Sequence, residues 1–405
     1  DQVATMTARA ILTGVPLVPK HVFEKMDDVT TDVNKNPVTS GPFTLDEKDF
    51  TSQNYVFRAN PNYHEKGQPY IDGVRYTSYA GGTATQDAII AGEIDWASNV
   101  FQDPEKQLKN APVDYLTMPS SAQVLVTCSN AELGCTGPQT DVAVRKAIYY
   151  GMDRAQLNKP AFYGIFYDSS SSLTPTPENE EYLSPDVPES TVPEEANVEK
   201  AKQLLEDAGY TMGSDGIYQK DGVRLSFEVP AISGWTESIN GVDVAGQQLK
   251  KVGIEMKVKQ VSANEMTELY SKGDFQIITE NMWYSGSEPY DFYNTFYASD
   301  QTAKVGEKGV NGWARYSNKT VDDALDVINS TTDTNVKKEQ YAIIQQQVYD
   351  DMPYIPMMRT ATMVETSKEY TGWVTKDNVY AAPASWNTWD TGIILRQIKP
   401  VTDNK

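Results

Sequence analysis

RLSFEVPA (224–231), INGVDVAGQQLKKVG (239–253) and IEMKVKQV (254–261) follow one another directly and read as a strand, a helix stopped by Gly253 and a second strand. SANEMTELYSKG (262–273) adds a helix, and DFQIITENMWY (274–284) another strand. Working back, AQVLVT (122–127) is a buried-strand candidate. TDVAVRKAIYYGMDRAQLNK (140–159) reads as one helix. Asp141 can cap it, and Val144, Ala147, Ile148 and Met152 repeat at helical spacing. NVEKAKQLLEDAGY (197–210) is an amphipathic helix ended by Gly209. Strands and helices therefore alternate from 122 to about 300, the pattern of an α/β lobe with helices packed on a sheet. Two further helices follow, TVDDALDVINS (320–330) and 335–352. Pro353 ends the second, and YIPMMRTATMVET (354–366) is a strand.

The flanks are less regular. Pro16 and Pro19 exclude a long helix in the first 26 residues. Strand signals recur at 37–45, 54–60 and 73–80, and TQDAIIAGEIDWA (85–97) reads as a helix stopped at Gly92 and then a short strand. The Ser-, Pro- and acid-rich stretch 168–197 cannot form its own core and is expected to be a long surface excursion. The tail from 373 is aromatic and irregular.

Composition narrows the function. The 405 residues carry 35 basic and 56 acidic side chains, a formal net charge of −21. Such a chain is a poor partner for nucleic acid or anionic lipid, which need clustered Lys and Arg. No apolar run approaches the roughly 18 residues of a membrane span. The only histidines are His21 and His64, too few for a histidine-based triad or a His-rich metal site. Cys128 and Cys135 read either as a disulfide closing a short, turn-like loop in an exported protein, or as two small buried hydrophobes. Zinc would need two more ligands nearby, and the sequence offers none.

The order of motifs resembles the solute-binding family 5 proteins that serve oligopeptide, dipeptide and nickel ABC importers, some members of which carry oligosaccharides. The resemblance rests on LVPKHVFEK (17–25), NPVTSGPFTL (36–45), VFRANPNYHEKGQPYIDGVRY (56–76), AIIAGEIDWA (88–97), DVAVRKAIYYGMDRAQL (141–157), VEKAKQLLEDAGY (198–210), WARYSNKTVDDALDVI (313–328) and DDMPYIPMM (350–358). It implies an α/β, two-lobed periplasmic-binding-protein-like fold that closes on its ligand about a hinge. Lobe I would take 1–121 and return from 373 to 405, and lobe II would take 122–372. Family members usually carry well over a hundred residues before the first of these segments. Lobe I is therefore expected to be incomplete and the chain N-terminally truncated.

The resemblance also implies a binder rather than an enzyme, with no cofactor. Its partners would be an oligopeptide and an ABC permease, its state monomeric, and its place the cell surface as a lipoprotein, or the periplasm. Oligosaccharide is the alternative ligand. A carboxylate-based glycoside hydrolase is a remote alternative, since two carboxylates at the right separation suffice for that chemistry.

Trp and Tyr suit a ligand cleft, with flat contact area and one polar handle each. The segment NMWYSGSEPYDFYNTFY (281–297) matches the family's cleft-lining loop, with Trp283 and Tyr284 at the lining positions; the competing role for Trp283 is packing under the loop. Peptide binders of the family place an Asp three residues after this Trp, to meet the ligand's amino group. Here that position is Gly286, which leaves Glu288 and Asp291 as candidates for the amine. Trp235, in SGW (233–235), and Trp96 point toward the sugar-binding branch. Trp386 is a further cleft candidate. Its bland reading, shared with Trp389, is to anchor the C-terminal strand. Arg145, Asp153 and Arg154 read as helix-pairing and capping residues. With two histidines, neither in the cleft segments, nickel is not expected.

Overall fold

The computed structural model describes residues 4–29, 32, 34, 36–51, 53–79, 81–284, 288–387 and 389–401. The chain divides into two units. The larger holds Asp1–Val15 and Pro119–Ala361, the smaller Pro16–Met118 and Thr362–Lys405. These divisions differ from the expected ones at 121 and 373, and the first residues belong with the larger unit. Met6 explains that placement. It is buried beside Ile328 and Tyr341, and Asn329 accepts the backbone N–H of Met6 at 3.0 Å. Among the described residues no helix is long and apolar enough to cross a membrane.

In the larger unit, Ser226–Ile232 and Glu255–Val261 pair in parallel with Glu255 opposite Ser226, and the helix Thr236–Val252 makes the crossover. Val242, Ala245, Leu249 and Val252 turn one helical stripe onto Phe227, Val229 and Met256. Gly246 allows the close approach, because a Cβ there would lie 2.5 Å from the Met256 carbonyl oxygen. Ile277–Met282 runs antiparallel to the Ala122–Thr127 half of the long strand Val113–Thr127. A second core gathers Val124, Ile278 and Met282 with Phe292, Phe296, Trp313, Ile344 and Tyr354.

The helix expected over 140–159 is two helices, Val142–Gly151 and Arg154–Phe162. Asp141 caps the first, donated to by the Ala143 N–H at 2.9 Å. Met152 is extended, and Asp153 caps the second by accepting from the Gln156 N–H at 2.7 Å. The Gln248 side chain clamps the break, accepting from the Asp153 N–H and donating to its carbonyl, both at 3.0 Å. Arg154 lies buried beneath it and donates to the carbonyls of Tyr149, Met152 and Pro356. Arg145 similarly serves the carbonyls of Asp351, Gln139 and Thr140. Both arginines thus satisfy backbone acceptors that would otherwise be orphaned.

The stretch 168–197 is not a surface excursion throughout. Ser169–Ser172, Leu173 and Thr174 are buried, as are Tyr182, Val187 and Val192. Polar burial is tolerated because it is hydrogen-bonded. Thr174 Oγ1 and the Ser172 carbonyl both meet the Tyr293 hydroxyl, and the Ser169 carbonyl accepts the Val192 N–H at 2.9 Å.

Cys128 and Cys135 form a disulfide with Cα atoms 5.4 Å apart and a sequence separation of 7. A loop this short removes little denatured-state entropy, about 2–3 kcal/mol. Replacing both cysteines with serine should lower the unfolding free energy by about that amount, and reductant should then leave the variant's denaturation midpoint unchanged. A variant as stable as the parent would refute a stabilising role for the bridge.

The smaller unit is built on an antiparallel three-stranded sheet, Phe43–Phe50, Asn54–Ala59 and Gly73–Thr77. The helix Gly82–Ala91 ends at Gly92, whose φ of 75° suits a glycine. Trp96–Ala97 pairs with Thr366 and Glu365 of the strand Tyr354–Ser367. The return segment is more regular than expected. Lys399–Pro400 pairs with Tyr370–Thr371, and Ile394, Leu395 and Ile398 pack on Phe43, Ile71 and Val74.

Candidate functional site

The strand Ile277–Met282 delivers Trp283 and Tyr284 to the edge of the aromatic core of the larger unit. The Trp283 indole stands edge-to-face on Phe296 at 4.9 Å and on Trp313 at 5.6 Å. It still leaves 42% of its surface exposed. A rigid backing with an open face is what a stacking platform requires. Tyr284 is held more tightly. Its ring meets Phe292 at 4.8 Å, its hydroxyl donates to the Leu173 carbonyl at 3.2 Å, and burial pushes the phenol well above its ordinary range.

Gly286, where the amine-binding Asp was sought, lies outside the described residues. Glu288 faces protein groups: Lys337 Nζ donates to both its carboxylate oxygens, at 2.9 and 3.0 Å, and the Tyr341 hydroxyl donates at 3.3 Å. Asp291 is half-buried in the first turn of the helix Tyr290–Tyr297, where a negative charge complements the helix end. Trp235 precedes the helix Thr236–Val252 at its cap position and is exposed. So Trp283, Tyr284, Glu288 and Asp291 belong to one segment, and Trp235 to another element of the same unit.

Trp386 belongs to the smaller unit and is exposed, as is Trp389. Trp386 lines a concavity of about 1130 Å³ with Tyr55, Tyr76, Trp96 and Trp373. Trp96 is fixed there by its indole N–H, which donates to the Pro383 carbonyl at 3.0 Å.

Two charged residues in the apolar strands were not among the expected site residues. Arg359 packs its guanidinium on the Tyr284 ring at 5.0 Å and pairs with Glu178. Glu280 is buried three residues before Trp283. It accepts the Asn281 N–H at 3.0 Å, and burial pushes its carboxyl up to about 7. The signal that could have found both is a lone charge within an apolar strand. Among the described residues, no group of three or more His, Cys, Asp or Glu is placed to hold a metal ion.

Residues 3–304 match the family profile described as bacterial extracellular solute-binding proteins, family 5 middle. The chain belongs to this family. The family 5 relatives include the oligopeptide-binding protein AppA of Bacillus subtilis strain 168, 28% identical over 355 residues, which are 85% of this chain and 61% of AppA. The nickel-binding periplasmic protein of Escherichia coli K12 is 23% identical over 379 residues, 91% of this chain and 66% of that protein. This chain thus spans roughly three fifths of AppA's length. Among solved structures, a periplasmic oligopeptide-binding protein of Thermotoga maritima with mannohexaose bound superposes with a TM-score of 0.86 at 20% identity, covering 99% of this chain and 76% of that one. Bacillus subtilis AppA in complex with a nonapeptide gives 0.77 at 23%, covering 96% and 72%. Both likenesses establish the α/β, two-lobed binding-protein fold.

Proposed function

We propose that this chain is the substrate-binding component of an ABC importer and captures oligopeptides by hinge closure. The observation that carries the reading is the Trp283 platform, backed by Phe296 and Trp313 and open on one side. Family membership and the peptide ligands named for its relatives support it. Capture of this kind makes and breaks no bond, so the chain acts as a carrier, without cofactor or metal. Its partners are the ligand and a permease, its state monomeric. Its location is outside the cytoplasm, as a surface lipoprotein or in the periplasm. The closed state must gain contact energy from the ligand, or binding would shift no population.

Oligosaccharide is the second reading, favoured by the mannohexaose held by a protein of the same fold and by the exposed Trp235. A thermal-shift screen with tri- to hexapeptides beside mannohexaose separates the two. A ligand at 100 times its dissociation constant adds about 2.7 kcal/mol. Peptides alone should raise the midpoint, and Trp283→Ala should weaken their binding about tenfold. A shift with mannohexaose alone would replace peptide by sugar, and undiminished binding by the variant would remove the platform.

A further inference from the structure

We propose that the aromatic concavity of the smaller unit binds a small organic cation, held by cation–π contact with Trp96, Trp373 and Tyr370 and by the carboxylates of Glu93 and Asp95. Such a site is independent of the peptide reading above, which rests on Trp283 in the larger unit. All five residues line the concavity of about 1130 Å³. The three rings form one chain. Trp96 meets Trp373 with centroids 5.9 Å apart at 47°, and Trp373 meets Tyr370 edge-to-face at 6.3 Å. Both indole N–H groups are spent on the fold: Trp96 donates to the Pro383 carbonyl and Trp373 to the Ser367 carbonyl, each at 3.0 Å. All three rings are nevertheless only half-buried. With the indole donors turned inward, what the two tryptophans offer a ligand is the π face, the negative side of the ring quadrupole.

The charges around the rings have the sign that such a ligand needs. Glu93 and Asp95 are exposed, and neither has an ion-pair partner among the described residues. Burial, and after it the Asp95 and Glu369 carboxylates, holds the Tyr370 phenol above its ordinary range, so negative potential reaches that ring. Nearby cations of the chain are directed elsewhere. Lys368 turns to Asp114 at 3.6 Å, and Lys399 lies over Tyr70 at 4.8 Å. Arg75 also lines the concavity, from the strand Gly73–Thr77, and is exposed. In the larger unit the protein covers ring faces with its own side chains: Lys146 lies over Tyr349 at 3.9 Å and Lys200 over Tyr150 at 3.6 Å. Among the described residues none of these contacts falls on Trp96, Trp373 or Tyr370. Solvation alone would account for the two acids. It does not account for three half-buried rings converging beside them from two stretches distant in sequence. A neutral ring could stack there too, but it would gain nothing from the carboxylate charge and would be indifferent to salt.

The test uses the full 405-residue chain. Choline is the quaternary probe, agmatine the guanidinium probe, and choline's neutral tert-butyl isostere the control. Binding is followed by calorimetry and by tryptophan fluorescence. At least one cation should bind, and which one identifies the head group. The neutral isostere should bind about tenfold more weakly than choline if the site takes quaternary ammonium, and not at all if it takes only agmatine. Raising sodium chloride from about 50 to about 500 mM should weaken cation binding several-fold. Trp373→Leu keeps an apolar filling but removes the π face, and should cost about tenfold. Asp95→Asn, an exposed change that leaves the packing alone, should cost about threefold and keeps the test decisive if Trp373→Leu fails to fold. Equal affinity for choline and its isostere, undiminished cation binding by Asp95→Asn, or binding of mannohexaose at Trp373 with neither cation overturns the assignment. None of these results bears on the Trp283 platform, whose peptide screen stands apart.

Discussion

Replacing Lys337 with methionine should destabilise the larger unit by about 3–5 kcal/mol, the usual consequence of leaving a buried charge without its partner. The Lys337 side chain is 9% exposed and that of Glu288 18%. Around the ion pair stand the Tyr341 hydroxyl and the Met6 sulfur, the latter 3.6 Å from Nζ. Methionine keeps the stem's volume but removes the charge that offsets the desolvation of Glu288. A loss of that size corresponds to a fall in melting temperature of roughly 6–20 °C for a unit of this length. Glu288→Gln alone should also destabilise, by leaving the ammonium buried. The double variant Lys337→Met with Glu288→Gln should recover much of the loss, because a double-mutant cycle isolates the coupling between neighbours. Chemical denaturation of the four proteins gives that coupling directly. The result also decides the role of Glu288. If Lys337→Met unfolds within about 0.5 kcal/mol of the parent, as an ordinary surface substitution would, the pair is solvated and the carboxylate is available to a ligand amine. A large coupling makes it a structural group and leaves the amine to another residue.

The parts of the fold that were legible in the sequence depend on local rules. The strand–helix–strand unit at 226–261 could be read because Gly253 marks the helix end and the flanking runs are short and β-prone. The order of family motifs then supplied the architecture. What escaped was set by contacts distant in sequence. Asp153 was legible as a capping residue but not as the end of one helical run; the Gln248 side chain, 95 residues downstream, holds the backbone at that break. The serines of 169–172 look like solvent-facing residues by composition. They are buried with their hydroxyls bonded to the carbonyls of Ser170, Thr174 and Pro188 and to the Thr174 hydroxyl, while Tyr293, 121 residues beyond Ser172, donates to the Ser172 carbonyl. At the candidate site, Trp283 and Tyr284 could be singled out from their motif, but the packing of Trp283 on Phe296 and Trp313 could not. The partners of Glu288 were not legible either, since Lys337 lies 49 residues downstream, in the helix Thr334–Asp351. Arg359 and Glu280 were visible as letters but not as a problem. A charge in a strand matters only once both faces of that strand are known to be covered.

Those buried acids should govern how stability depends on pH. Glu365 is buried in the smaller unit. Its Oε2 accepts the Asn99 N–H at 3.1 Å, no described residue donates to Oε1, and burial pushes the carboxyl up to about 8. Glu280, in the larger unit, stands near 7 for the same reason. In both, the folded state holds its proton more tightly than the unfolded chain, whose glutamates titrate near 4.3. Their stabilising contribution is therefore complete below that value and is lost as pH rises through 7 and 8, the opposite of a salt-bridged carboxylate. Each raised unit corresponds to about 1.4 kcal/mol, so the loss by pH 9 is on the order of a few kcal/mol per residue. Glu365→Gln removes the titration while keeping an oxygen for Asn99. The variant should match the parent at pH 4 and exceed its stability by a few kcal/mol at pH 9, and Glu280→Gln should behave alike with its midpoint about one unit lower. Because the two glutamates sit in separate units, the two effects should fall on separate unfolding steps wherever those steps resolve. Unfolding free energies measured at intervals from pH 4 to 9 test this directly. Parallel curves for parent and variants would mean that neither carboxyl is protonated in the folded chain at neutral pH, and that a cation or water compensates each charge in solution.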